Sequence, residues 1–82
     1  MKSLVRDLLQ FGSIVRRARK KGGMSQSELG AKAGVRQAMI SLVENGRAAK
    51  LETVLVVLAA LDLELQVAPR SHARGGNIED LF

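Results

Sequence analysis

Residues 24–46 read MSQSELGAKAGVRQAMISLVENG, and this stretch decides the fold. Ser25 and Glu28 have the spacing of a capping box: the hydroxyl takes the Glu28 N–H and the carboxylate reaches back to the Ser25 N–H. Met24 and Leu29 occupy the two staple positions around that cap. A helix begun there runs to Ala33. Gly34 follows, where a left-handed residue ends a helix at least cost. Val35 is the buried residue of the turn, and a second helix is expected from about Arg36 to Glu44, stopped by Asn45-Gly46. On that helix Ile40 and Val43 face inward, and Arg36, Gln37, Ala38 and Ser41 face outward. Two short helices joined in this way form a helix-turn-helix, a motif whose second helix enters the DNA major groove.

Upstream, Asp7-x-x-Gln10 reads as a second capping box. Leu8, Phe11, Val15 and Ala18 recur at helical spacing, with Ile14 beside them, and give the first helix its inward face. Arg16, Arg17, Arg19, Lys20 and Lys21 crowd its last turns, where cations suit the negative end of the helix dipole. Gly22-Gly23 ends it. Downstream, Arg47-Ala48-Ala49-Lys50 is a basic loop, and a fourth helix is expected from about Leu51 to Leu61. Lys50 cannot accept a backbone N–H, so that helix begins without a good cap. Its core face is assigned to Leu51, Val54, Leu55, Leu58 and Leu61. Val56, Val57 and Ala60 are apolar too, and a helix apolar nearly all round should be covered.

Leu63, Leu65 and Val67 alternate with Glu64, Gln66 and Ala68 before Pro69, which predicts one short strand. A lone strand lacks a ladder partner in a helical chain. The economical partner is the same strand of a second copy across a two-fold axis; the alternative is an irregular extended tail. Val57, Leu63, Leu65 and Val67 are accordingly assigned to a homodimer interface. The chain divides into a domain of residues 1–69 and a flexible tail of residues 70–82. Residues 70–77 are polar and glycine-containing, and the single histidine, His72, is read there as a solvated residue. Ile78, Leu81 and Phe82 make an apolar end suited to a partner surface; a frayed end, or one folded back on its own domain, is the alternative.

At 82 residues the chain is one small domain, a size that often gains stability by association. It has no cysteine, so neither disulfides nor a cysteine metal site, which fits a cytoplasmic location. The longest apolar run, Val54 to Leu61, is too short to span a bilayer, and the N-terminus lacks the apolar stretch of a signal peptide. Charge is uneven. Residues 1–50 carry +8 and residues 51–82 carry −3, for the net +5. A basic front and an acidic back favour a polyanion at one end only.

The chain resembles the lambda-repressor-like, or XRE, helix-turn-helix family. Gln26, the Leu29…Ala33-Gly34-Val35 turn, Ile40-Ser41 and Glu44-Asn45-Gly46 carry the resemblance, over roughly residues 11 to 61. Within that family it is most similar to HipB-type antitoxins, through Arg36-Gln37-Ala38-Met39-Ile40-Ser41, Leu51-Glu52-Thr53 and the strand-like 63–67 segment. The resemblance implies an all-α domain of four main helices, with a C-terminal strand paired across a homodimer. Many members place a fifth helix where this chain has its strand, a departure that favours the HipB-like reading. It further implies a repressor of its own operon that binds double-stranded operator DNA and a HipA-like kinase toxin, the C-terminal tail touching the toxin. A stand-alone phage-type repressor, and an adaptor that neutralises a protein without reading DNA, are the other readings.

One constellation carries recognisable chemistry. Gln26, at a helix N-terminus, suits a phosphate. Gln37 suits an adenine edge, Arg36 a guanine edge or a phosphate, and Ala38 a thymine methyl. Ser41 suits a phosphate or a base, and Arg47 and Lys50 suit the backbone. Arg36 stands where relatives often carry a capping Ser or Thr, and Leu42 where many carry a polar DNA-facing residue, so no base contact is assigned to Leu42. Met39 suits either DNA or a neighbouring turn. The resemblance gives Arg19 a framework or phosphate role, and Glu28 and Glu44 are explained by capping and helix-end structure. No nucleophile–base pair, phosphate-cradling glycine loop or metal set is present in the sequence, so neither catalysis nor a cofactor is expected.

Overall fold

The structure is a computed structural model that describes residues 3–70. It contains α1 (Leu8–Lys21), α2 (Gln26–Ala33), α3 (Gln37–Glu44) and α4 (Leu51–Ala60). Local chemistry explains each boundary. Asp7 caps α1 by accepting the Gln10 N–H at 2.8 Å. The return bond of the expected box goes one residue further out: Gln10 Oε1 accepts from the Arg6 N–H at 2.7 Å. The box on α2 is complete, with the Glu28 N–H on Ser25 Oγ at 3.0 Å and the Ser25 N–H on Glu28 Oε1 at 2.7 Å. The Ser25 backbone N–H, and after it the Ser25 hydroxyl, hold the exposed Glu28 carboxyl below the usual range. Gly34 ends α2 in the left-handed region at φ 78°, and the Val35 N–H closes the turn on Gly30 O. α3 begins one residue later than expected, with Arg36 as its cap residue.

α4 ends without a glycine. Asp62 sits at φ 59°, the Leu63 N–H bonds Leu58 O at 2.8 Å and the Asp62 N–H bonds Ala59 O at 3.0 Å. This is a Schellman stop, which satisfies two terminal carbonyls, with aspartate in the place usually held by glycine.

α2 packs on α3 and α4, and α1 packs on α3. Val15, Leu29, Ile40, Val43, Val57 and Ala60 form the core, with Phe11, Met24, Ala33, Val35, Ala49 and Leu61 packed against it. α1 lies close to the C-terminal end of α3 because Gly12 has no side chain. A methyl group there would sit 2.5 Å from the Val43 carbonyl oxygen and 2.6 Å from that of Glu44.

Three assignments change. Leu8 is half exposed, so the inward face of α1 starts at Phe11. The core face of α4 is Val57, Leu58 and Ala60, whereas Leu51 is 62% and Leu55 46% exposed. Val57, assigned above to a dimer interface, is fully buried in its own chain. The cause is rotation about α4: a helix apolar nearly all round leaves the sequence without a stripe to orient it. Finally, residues 63–69 pair with no other segment of the described chain, and Leu63 is half buried whereas Leu65 and Val67 are exposed. Ile78, Leu81 and Phe82 lie outside the described residues, as does His72. No described helix is long and apolar enough to cross a membrane.

Candidate nucleic-acid interface

α3 buries Ile40, Val43 and Glu44, which sit three and four residues apart on one face. The opposite face therefore carries Gln37 and Ala38, both exposed, with Ser41 half buried beside them. Arg36 caps α3 without a side-chain hydrogen bond. The first N–H groups of α3 thus point out with no side-chain acceptor from the cap, the positive end of a helix dipole beside an exposed guanidinium. Arg47 and Lys50 are exposed in the loop after α3, about 12 Å away along an eight-residue helix. Cations therefore stand at both ends of the outward face. Ser41 Oγ accepts from Asn45 Nδ2 at 3.4 Å, a long contact that leaves the hydroxyl proton available.

Gln26 and Gln37 come together. Gln37 Nε2 donates to Gln26 Oε1 at 2.5 Å, so the N-terminus of α2 and that of α3 present one joined pair of amides. Behind the pair lies a group whose role sequence reading only half captured. Arg19 is 8% exposed and Glu44 7% exposed. Arg19 Nε donates to Glu44 Oε2 at 2.6 Å, Arg19 Nη2 to Glu44 Oε1 at 3.0 Å, and Arg19 Nη1 to the Met24 carbonyl at 2.9 Å. Arg19 is thus a framework residue, with its guanidinium turned inward rather than toward a phosphate. Glu44 Oε1 also accepts from Gln26 Nε2 at 3.1 Å. An unbroken chain of polar contacts therefore runs from a buried ion pair, through Gln26, to Gln37 on the surface.

Burial alone would push the Glu44 carboxyl up. The bonds from Arg19 and Gln26, with the nearby charges of Arg19 and Arg16, outweigh it and hold the carboxyl below the usual range. The Glu44 bond in turn raises the pKa of Arg19. The pair is ionised at neutral pH, and no buried side-chain polar atom among the described residues lacks a partner. The sequence held a signal for this pair. Arg19 falls four residues after Val15, and Glu44 four after Ile40, so each charge continues an apolar stripe. Two opposite charges on facing inward stripes have one economical arrangement, which is to meet.

No group of metal-ligating side chains occurs among the described residues. The helix-turn-helix family profile matches residues 15–67. The chain belongs to the XRE-type helix-turn-helix family. It is a DNA-binding regulator of that family, whose members are normally not enzymes. Solved structures agree. The restriction-modification controller protein C.AhdI from Aeromonas hydrophila is 36% identical, with a TM-score of 0.67 over 71% of this chain and 86% of its own. HipB in complex with an O2 20-mer is 27% identical, with a TM-score of 0.77 over 90% of this chain and 100% of its own. HipB in a HipA–HipB–O2–O3 complex is 29% identical, with a TM-score of 0.74 over 82% of this chain and 96% of its own. Among curated proteins, none matches the sequence significantly.

Proposed function

We propose that this chain is a homodimeric transcriptional repressor of HipB type, which reads operator DNA with α3 and serves as the antitoxin of a HipA-like kinase. The observation that carries the DNA reading is the Gln26–Gln37 amide pair at the mouth of the motif, flanked by exposed cations at both ends of α3. Gln37 with an adenine edge, Ala38 with a thymine methyl, and Arg36 with a guanine or phosphate supply base choice. The second N–H of Gln26, Ser41, Arg47 and Lys50 supply phosphate contacts that set the register. The dimer surface is the exposed apolar side of α4, Leu51, Leu55 and Val56, continued by Leu65 and Val67. The backbone of residues 64–67, which joins no ladder within the described chain, meets its copy there. Support for the antitoxin role comes from HipB, matched over 90% of this chain in a complex with DNA and over 82% in a complex with HipA.

A second reading, a controller-type regulator without a toxin, is favoured by the higher sequence identity to C.AhdI. The two separate in one experiment. Fluorescence anisotropy on DNA from upstream of the gene, against scrambled DNA over a salt series, is run beside capture of a HipA-like kinase. Specific, steeply salt-dependent binding that Gln37→Ala weakens establishes α3 as the reader. Kinase capture by the full chain, lost on removal of residues 78–82 with DNA affinity unchanged, supports the antitoxin role. DNA binding without kinase capture supports the controller.

A further inference from the structure

An ionised carboxylate has no proton to give, so it can only accept hydrogen bonds. The Gln26 atom 3.1 Å from Glu44 Oε1 must then be Nε2. That places Gln26 Oε1 at the other end of the amide, against Gln37, and the Gln37 atom facing it must also be the donor, Nε2. The polarity of both amides thus follows from the charge of Glu44. It does not depend on how either amide would orient alone, since an isolated glutamine amide turns over freely. Gln37 is left with one N–H and its carbonyl oxygen, in a fixed order.

That remainder discriminates. The major-groove edge of adenine offers one acceptor and one donor, N7 and the N6 amino group; that of guanine offers two acceptors, N7 and O6. An amide held in one order completes two bonds with adenine and sets its oxygen against guanine O6. Without Glu44 to hold its nitrogen, Gln26 can turn and donate to Gln37 Oε1 instead, which frees both N–H groups of Gln37 to donate to guanine N7 and O6.

We propose that Glu44 is a positioning residue for base choice: acting through Gln26, it fixes the order of the Gln37 amide and so sets that reading to adenine over guanine. The proposal rests on the assignment of α3 as the reading helix. Glu44 is buried and touches no base; its effect reaches the groove through two amides. The arrangement also explains why an acid sits at the end of α3, against the helix dipole, which by itself disfavours a carboxylate there.

The test is selection from randomised DNA with the full chain, followed by titration of adenine against guanine at the position whose preference Gln37→Ala erases. The variants are Gln26→Ala, Glu44→Gln and the double variant Arg19→Met with Glu44→Met. Gln26→Ala leaves the ion pair intact, and the double variant leaves no buried charge, so a folded variant is available whatever Glu44→Gln does. A good bidentate contact separates bases by about 5- to 150-fold. At that position the preference is expected to fall below about threefold in Gln26→Ala and in the double variant, while preferences at other positions persist. A wild-type ratio in the double variant overturns the proposal, and so does an equal loss at every position, which marks a purely structural role. If Gln37→Ala erases no preference anywhere, the assignment of α3 fails first and the proposal with it.

Discussion

Replacing one partner of the Arg19–Glu44 pair strands the other in the core. In Arg19→Met the Glu44 carboxylate, 7% exposed, loses its counter-charge and both guanidinium bonds and keeps only the Gln26 N–H. In Glu44→Met the guanidinium keeps only the Met24 carbonyl. Breaking a buried pair from one side costs about 3–5 kcal/mol. Domains hold roughly 0.05–0.15 kcal/mol per residue, or about 4–12 kcal/mol for a chain of this length. Each single variant should therefore lose a large part of its stability and, at the lower end, unfold. Changing both residues to methionine removes both desolvation penalties and fills similar volume, so the double variant should return to within about 2 kcal/mol of the parent. Urea unfolding by circular dichroism at pH 7 and one protomer concentration measures this, through the midpoint at constant slope. Single variants within about 1 kcal/mol of the parent, the worth of a solvated surface pair, would refute the reasoning. So would a double variant as unstable as the two single losses summed.

Acid should act on the same carboxyls. Glu44 and Glu28 titrate lower folded than unfolded, so their stabilisation is complete above the unfolded value, about 4.3, and is lost as pH falls through the folded values. The urea midpoint should hold from pH 7 to about 5 and fall below about pH 4, less steeply in the double methionine variant; a midpoint constant down to pH 3 would contradict this. Gly12→Ala adds a methyl group against two α3 carbonyls, and the resulting overpacking, typically about 1–3 kcal/mol, should exceed its helix-propensity gain of about 1 kcal/mol. Thermal melting should show a Tm lower by several degrees. Val57→Ala should cost roughly 2 kcal/mol as a core truncation. Leu55→Glu, on the exposed side of α4, should instead leave helix content intact and shift sedimentation equilibrium toward monomer.

How far these features could be read from the sequence depended on whether the signal was local. The α2 cap, the Gly34 turn and the Asn45-Gly46 stop rest on residues at most a few positions apart, and each stands as read. The orientation of α4 is set by which neighbours cover it, and eight apolar residues in a row give no stripe to choose by. The pattern therefore puts Leu51 inside and Val57 outside, the reverse of their places in the fold. The Schellman stop at Asp62 escaped because aspartate only occasionally replaces glycine in the left-handed region. In the site, the outward positions of α3 were legible from period alone. The join between Gln26 and Gln37, and the ion pair behind it, span 11 and 25 residues and needed the packing of three helices.

A small domain gains little stability from an ion pair in its core, since apolar residues of the same volume often serve as well or better. This pair therefore calls for another reason, and its bonding supplies one. Glu44 Oε1 accepts from Arg19 on α1 and from Gln26 on α2 while belonging to α3, so one oxygen ties together the three helices around the motif. Methionine at both positions would fill the core and leave Gln26 without an acceptor. The stability and base-choice experiments thus make opposite demands on a single variant. The double methionine protein should keep its fold and lose its discrimination between adenine and guanine. A protein that lost both, or neither, would show that the pair serves only the fold or only fills space.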